Sequence, residues 1–220
     1  MKNFFRIFAC LLCLIMEKSI QPIFDKNTVE FVTVAAELCG FLERTSLQKR
    51  SDFVDKLLKV LPLLYLKASL LPVCERMEED DVETFVTESD YNQLRSEIAA
   101  LLGDGDDYLE VFLDDMAYSD SPIRQEISEG LADIYQVLKD FICVYQLGLP
   151  QTMNDALAVC RERFAEYWGQ RLVNVMRPLH ELKYSRNASW EEADDSEDIY
   201  EDNCTEEELY EGLNMGEDEP

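Results

Sequence analysis

Residues 127–145, ISEGLADIYQVLKDFICVY, decide the fold class. Ile127, Leu131, Ile134, Leu138, Phe141 or Ile142, and Tyr145 recur at spacings of four and three, the repeat that gathers side chains on one face of an α-helix. A half-buried strand would alternate with a period of two, and this segment does not. Ser121 followed by Pro122 marks the start of the helix, because proline's fixed φ suits the first helical turn. Gly148 and Pro150 close it.

Downstream, a Thr152 to Asp155 capping box opens a last helix with the stripe Met153, Leu157, Cys160, Phe164, Trp168, Leu172, Val175 and Leu179. Upstream, Asn27 is the expected N-cap of a helix to Leu42. Its wide apolar face combines Phe31, Ala35, Leu38 and Leu42 with Val32, Ala36 and Cys39. From Ser51 to Leu71 the chain is apolar almost all round, which places this helix at the centre of a bundle. Pro62 is expected to kink it and Pro72 to end it. Cys74 to Val86, with Glu78, Glu79, Asp80 and Asp81, reads as a charged loop. Thr87 and Asp90 then cap a helix with Tyr91, Leu94, Ile98 and Leu101 on one face, stopped by Gly103 and Gly105. Asp106 to Tyr118 is expected to form a short amphipathic helix with Leu109, Phe112, Leu113 and Met116 inward.

No segment alternates with turn chemistry, so no sheet is expected. The fold class is all-α: an antiparallel bundle of about six helices over residues 17–186, with short connections and no repeat at a fixed period.

Charge divides the 220-residue chain. Lys and Arg number 20 against 46 Asp and Glu, a net charge of −26, and this excludes direct duplex nucleic-acid binding, which needs clustered cations. Fifteen of the acids lie in residues 187–220, where there is no Lys or Arg, leaving −11 for residues 1–186. Too few apolar groups stand there to offset chain entropy and self-repulsion, so residues 187–220 are expected to be a disordered acidic tail. Residues 1–16, MKNFFRIFACLLCLIM, imitate a secretory leader. No small-x-small cleavage site follows, and the apolar run Ile7 to Met16 is shorter than the roughly 20 residues a bilayer needs. Met16 is therefore expected to be the true start, which removes Lys2 and Arg6 and brings the charge to −28. An envelope anchor is the alternative if residues 1–16 are translated. Cys39, Cys74, Cys143 and Cys160 fall at apolar helical positions, as free thiols of a cytoplasmic protein do.

Long continuous stretches resemble a known group. FVTVAAELCGFLE (Phe31 to Glu43), FVDKLLKVLPLLYLKASLLP (Phe53 to Pro72), DDYLEVFLDDMAYSDSPI (Asp106 to Ile123), ISEGLADIYQVLKDF (Ile127 to Phe141) and MNDALAVCRERFAEYWGQRLVNVMRPLH (Met153 to His180) resemble the Bacteroidales proteins grouped as domain of unknown function 5063. The resemblance covers roughly residues 20 to 184. It implies a cytoplasmic helical protein beginning near the equivalent of Met16, and it brings no activity.

Candidate chemistry is sparse. Asp106, Glu110 and Asp114 stand at i, i+4 and i+8, and Glu126, Glu129 and Asp133 at i, i+3 and i+7. Two such faces could hold Mg²⁺ on a nucleotide, as in the all-helical nucleotide pyrophosphohydrolases with their E-x-x-E and E-x-x-D pairs. The spacing here departs from theirs, since Asp114 and Asp133 each follow a Glu by four. In so acidic a chain the ordinary reading is a solvated face. The single His180 lacks the E-x-x-H pattern of di-iron bundles and reads as a histidine at a helix end. No phosphate loop, nucleophile elbow or zinc spacing occurs, and no cofactor is expected.

Between Ala156 and Arg186 six basic residues meet three acidic ones. Arg163, Gln170, Asn174 and Arg177 share a helical face, and Arg163, Arg171 and Arg177 are the candidate contacts for the tail or a partner. The tail is expected to fold loosely back on this face until a partner's basic surface displaces it. The leading expectation is a non-enzymatic helical interaction module or adaptor, binding a protein partner through its bundle surface and acidic tail. A Mg²⁺-dependent nucleotide hydrolase is the alternative.

Overall fold

A computed structural model describes residues 21–78, 81–110 and 123–185. The expectations for residues 1–16, for Asp114 and for the acidic tail lie outside the described residues. Six α-helices stand among them: α1 (Lys26–Leu42), α2 (Arg50–Ser69), α3 (Glu88–Leu102), α4 (Ile127–Gln146), α5 (Pro150–Arg163) and α6 (Gly169–Tyr184). Phe164–Trp168 winds as a π-helix between α5 and α6 and makes them one continuous rod.

The helix that decides the fold class is also the centre of the bundle. Ile127, Leu131, Ile134 and Leu138 of α4 are fully buried, and α4 packs against α1, α3, α5 and α6. Each such leucine or isoleucine contributes about 1.5–3 kcal/mol relative to exposure. Aromatic rings fill the seam with α1 and the π turn: Phe31 lies 5.6 Å from Phe141 and 6.3 Å from Trp168.

α2 does not take the central position expected of it. It packs on α1 and α6 through Phe53, Leu57, Leu61, Leu64 and Ala68, and the helix runs on through Pro62. Its other face stays open: Leu63 is 42% exposed, Leu66 52% and Leu70 47%, with Val73 beyond the helix at 73%. An apolar helix is buried all round only when the fold supplies partners on every side, and here it supplies two.

The expected helix from Asp106 to Tyr118 is corrected over Asp107–Glu110, and its remainder, with Phe112, Leu113 and Met116, lies outside the described residues. Asp107–Glu110 is a strand, β1, paired antiparallel with β2 (Ile123–Glu126), Asp107 opposite Glu126 and Glu110 opposite Ile123. β2 also replaces the helical start expected at Ser121 and Pro122. The pair is held by the Arg124 guanidinium on the Asp107 carboxylate, and Glu126 turns aside to Arg95 at 2.5 Å. With α4 beginning at Ile127, its cap comes from afar. The Asp106 carboxylate accepts from the Ser128 backbone N–H at 2.7 Å and its hydroxyl at 2.6 Å, while the Asp106 carbonyl accepts from Ile127 N–H at 2.8 Å.

Other termini follow the same chemistry. Asp25, not Asn27, caps α1, accepting from Asn27 N–H at 2.8 Å. The Thr87 and Asp90 capping box forms as expected on α3. Gly103 ends α3 at φ 54°, a conformation open to glycine, and Gly148 turns the chain between α4 and α5 at φ 72°. α5 starts at Pro150 instead of Thr152, which frees Asp155 for other bonds. Among the described residues no helix is long and apolar enough to cross a membrane.

Candidate functional site

The best-built polar centre gathers on Asp133 of α4, a buried carboxylate. Tyr91 of α3 donates its hydroxyl to Oδ1 at 2.9 Å, and Tyr167 of the π turn donates to Oδ2 at 2.6 Å. Arg171 of α6 places Nε 3.3 Å from the same Oδ2 and reaches Gln125 of β2. Burial, and then the bond to Asp133, push the Tyr91 phenol well above its ordinary range, and burial raises Tyr167 likewise. Two phenols held protonated against a carboxylate make a donor lock between helices, and neither is set to act as a base. The π turn makes this possible, because its wider winding turns Trp168 inward and Tyr167 outward to Asp133.

The other sequence-picked acids are engaged one by one. Asp106 caps α4, and burial raises its carboxyl despite the Ser128 bonds. Glu110 is buried and accepts from the Asn174 amide of α6. Glu126 holds Arg95, and Glu129 is half-buried near the Asp133 cluster. Asp106, Glu110 and Glu126 face different donors on different elements. Among the described residues no group of three His, Cys, Asp or Glu side chains is placed to hold a metal ion.

The basic face is divided by the same π turn. Arg163 is exposed above the 81–86 connection, sharing a small cavity of about 30 Å³ with Val82 and Asp140. Gln170, Asn174 and Arg177 instead line a cleft of about 140 Å³ against Tyr108 and Glu110. Burial pushes the Tyr108 phenol up to about 12. Arg171 is turned inward to Asp133, its side chain partly exposed.

Two buried acids, Asp155, expected instead to cap the last helix, and Asp140, which no motif singled out, pin the connection between α2 and α3. Asp155 accepts from the Met77 and Glu78 backbone N–H groups at 2.7 and 3.0 Å, and Asp140 accepts from Phe85 and Val86 at 2.6 and 2.9 Å. Asn154 adds a bond to the Glu75 carbonyl at 2.7 Å. The pinned strand of chain walls an open groove of about 580 Å³, floored by Ala68 of α2 and Ala158 of α5, with Phe164 and Cys74 at its sides. The open face of α2 adjoins it.

A family model described as Domain of unknown function (DUF5063) matches residues 22–185. The chain belongs to this family. It is also similar to a solved crystal structure, protein BF1032 from Bacteroides fragilis, at 58% identity and a TM-score of 0.69, over 76% of this chain and 99% of that one. A comparison with curated proteins gives no match. The DUF5063 match takes in all six described helices, the donor lock on Asp133 and the groove.

Proposed function

We propose that this DUF5063 member is a non-enzymatic cytoplasmic interaction module that binds a protein partner with a basic surface. The observation that carries the reading is the uncovered apolar face of α2, in a chain of net charge −26. Pro62, Leu63, Tyr65, Leu66, Ser69 and Leu70 are all exposed and span an arc of roughly 160° at 100° per residue. Contiguous apolar surface of this kind marks contact sites on soluble proteins. The four described cysteines are free thiols, which supports a reducing compartment. The acidic residues 187–220 add long-range attraction for a cationic partner.

Affinity capture at graded salt, with the full chain and with a chain ending at Arg186, tests the reading. The full chain retains a partner whose binding weakens with salt, and the shortened chain retains it less well and with a flatter salt dependence. A partner held equally by both chains removes the tail from the account, and failure of the full chain to retain any protein refutes the module.

A further inference from the structure

We propose that the cleft between β1 and α6 is a strand-addition site, taking an extended segment of a partner protein that carries an acidic side chain. The inference goes beyond the interaction-module reading, because the cleft shares no residue with the open face of α2. Tyr108, Leu109 and Glu110, three consecutive residues of β1, all line it. Side chains alternate across a strand, so a cleft that touches all three runs along the strand's edge. The opposite wall is one face of α6, with Gln170, Val173, Asn174 and Arg177 at i, i+3, i+4 and i+7.

Main-chain groups define the occupant. The Asp106 C=O accepts from Ile127 N–H at 2.8 Å in the register of the hairpin, and backbone groups alternate in direction along an antiparallel strand. Those of Tyr108 and Glu110 therefore face β2. The Leu109 N–H and C=O face the free edge, where among the described residues they take no backbone bond outside the hairpin. An extended chain laid along that edge supplies an acceptor and a donor to them, which is how a peptide adds to an exposed sheet edge. The volume, about 140 Å³, is below the ~300 Å³ of small-molecule sites, so the cleft suits a short length of chain that runs on past it at both ends.

The two charged side chains of the lining are not equally available. Glu110 is 7% exposed and accepts from the Asn174 amide, and Asn174 in turn accepts from Gln170 at 2.8 Å, so this row is satisfied within the protein. Arg177 is exposed on the same helical face and makes no ion pair among the described residues. Leu109 and Val173, the apolar part of the lining, are both exposed. A strand with one carboxylate toward α6 and apolar side chains along Leu109 matches these groups, since guanidinium and carboxylate form a charge-assisted pair.

The test uses the full chain and labelled peptides of about nine residues, blocked at both ends, at about 150 mM salt, where the net charge is screened beyond about 8 Å. The first peptide alternates valine and threonine around one central glutamate, and the second has glutamine in place of the glutamate. Two more are the first peptide N-methylated at alternate amides, one in each register. Fluorescence anisotropy shows the first peptide bound and the second bound about fivefold more weakly. One N-methylated form binds at least about tenfold more weakly and the other is little changed, because only one edge of the peptide meets β1. An Arg177→Ala chain binds the glutamate and glutamine peptides alike, and saturation with the first peptide slows hydrogen exchange at the Leu109 N–H. A chain with Leu66→Asp and Leu70→Asp, on α2, binds the first peptide unchanged. Circular dichroism confirms that these exposed substitutions leave the helices intact.

Absence of binding by the first peptide, equal binding of both N-methylated forms, or a glutamate preference that survives Arg177→Ala overturns the cleft. Binding lost in the Leu66→Asp and Leu70→Asp chain assigns the peptide to the face of α2, and then the inference fails alone. Failure to capture a basic partner refutes the interaction module and leaves the cleft, which the peptides read, standing.

Discussion

Replacing Asp133 by alanine separates a structural lock from a metal ligand. The substitution strips three donors of one acceptor: the Tyr91 hydroxyl, the Tyr167 hydroxyl and Arg171 Nε. Tyr167 is 41% exposed and regains water, so its loss is small. Tyr91 is half-buried, and the Arg171 side chain is only 25% exposed, so both are left partly unpaired. Removing one partner of a mostly buried charged pair costs about 3–5 kcal/mol. Discounting for the water that reaches Tyr167 gives about 3 kcal/mol, which for a domain of this size lowers Tm by about 6–12 °C. Thermal and urea unfolding followed by circular dichroism measure it. Tyr91→Phe alone costs about 1 kcal/mol and has almost no further effect in the Asp133→Ala chain, since the acceptor is already gone. Melts repeated with millimolar Mg²⁺ give the same Tm for the unsubstituted chain, because a ligand held only by the folded state would raise it. An Asp133→Ala loss below about 0.5 kcal/mol, or a Tyr91→Phe effect that persists in full beside it, refutes the lock. A Mg²⁺-dependent Tm abolished by Asp133→Ala restores the hydrolase reading.

A Cβ at Gly130 overlaps Val175 Cγ1 where α4 crosses α6. Gly130→Ala therefore loses about 1 kcal/mol net in urea unfolding, despite a helix-propensity gain of similar size, and the sign reverses in a Val175→Ala chain. Asp155→Ala unpins Met77 and Glu78, and hydrogen exchange of the 74–86 connection speeds up, with a global loss of about 1–2 kcal/mol. Burial pushes the Cys39 thiol up to about 12 and Cys160 higher still, so both resist alkylation near pH 8 until urea is added, as peptide mapping will read. The hydrogen bonds from Lys183 and then Lys59 hold Asp55 down to about 2. A depressed carboxylate stabilises above its unfolded pKa of about 3.9 and loses that contribution as pH falls towards 2, so Lys183→Ala flattens the stability curve in that acid window alone.

The helical fold was legible because its central element carries an unbroken 3.6-residue stripe, and the Thr87 and Asp90 cap was legible because its signal is local. The hairpin was not. Leu109 and the acids around it satisfy a helical period by chance, and what makes Asp107–Glu110 a strand is its pairing with Ile123–Glu126, a partner that no local pattern announces. The cap on α4 failed to show for the same reason, since Asp106 acts 22 residues away. The π turn did leave a trace. Cys160, Phe164, Trp168 and Leu172 are spaced four, four and four, which drifts about 120° off a 3.6-residue stripe over three turns. One turn of wider winding absorbs much of that drift and keeps Trp168 and Leu172 buried. The same turn aims Tyr167 at Asp133 and parts Arg163 from Arg177, so one spacing anomaly governs both the donor lock and the division of the basic face.

On α2 the sequence carries more apolar surface than the bundle uses. Phe53, Leu57, Leu61, Leu64 and Ala68 account for its packing on α1 and α6. Leu63, Leu66 and Leu70 add little to that packing, because a side chain about half exposed in the folded chain gains little over its exposure in the unfolded one. Their substitution by polar residues is therefore nearly neutral for folding, and their apolar surface yields stabilisation chiefly on association. A net charge of −26 opposes association between copies. The residues that misplaced α2 at the centre of the bundle are therefore the ones whose apolar surface the bundle leaves open.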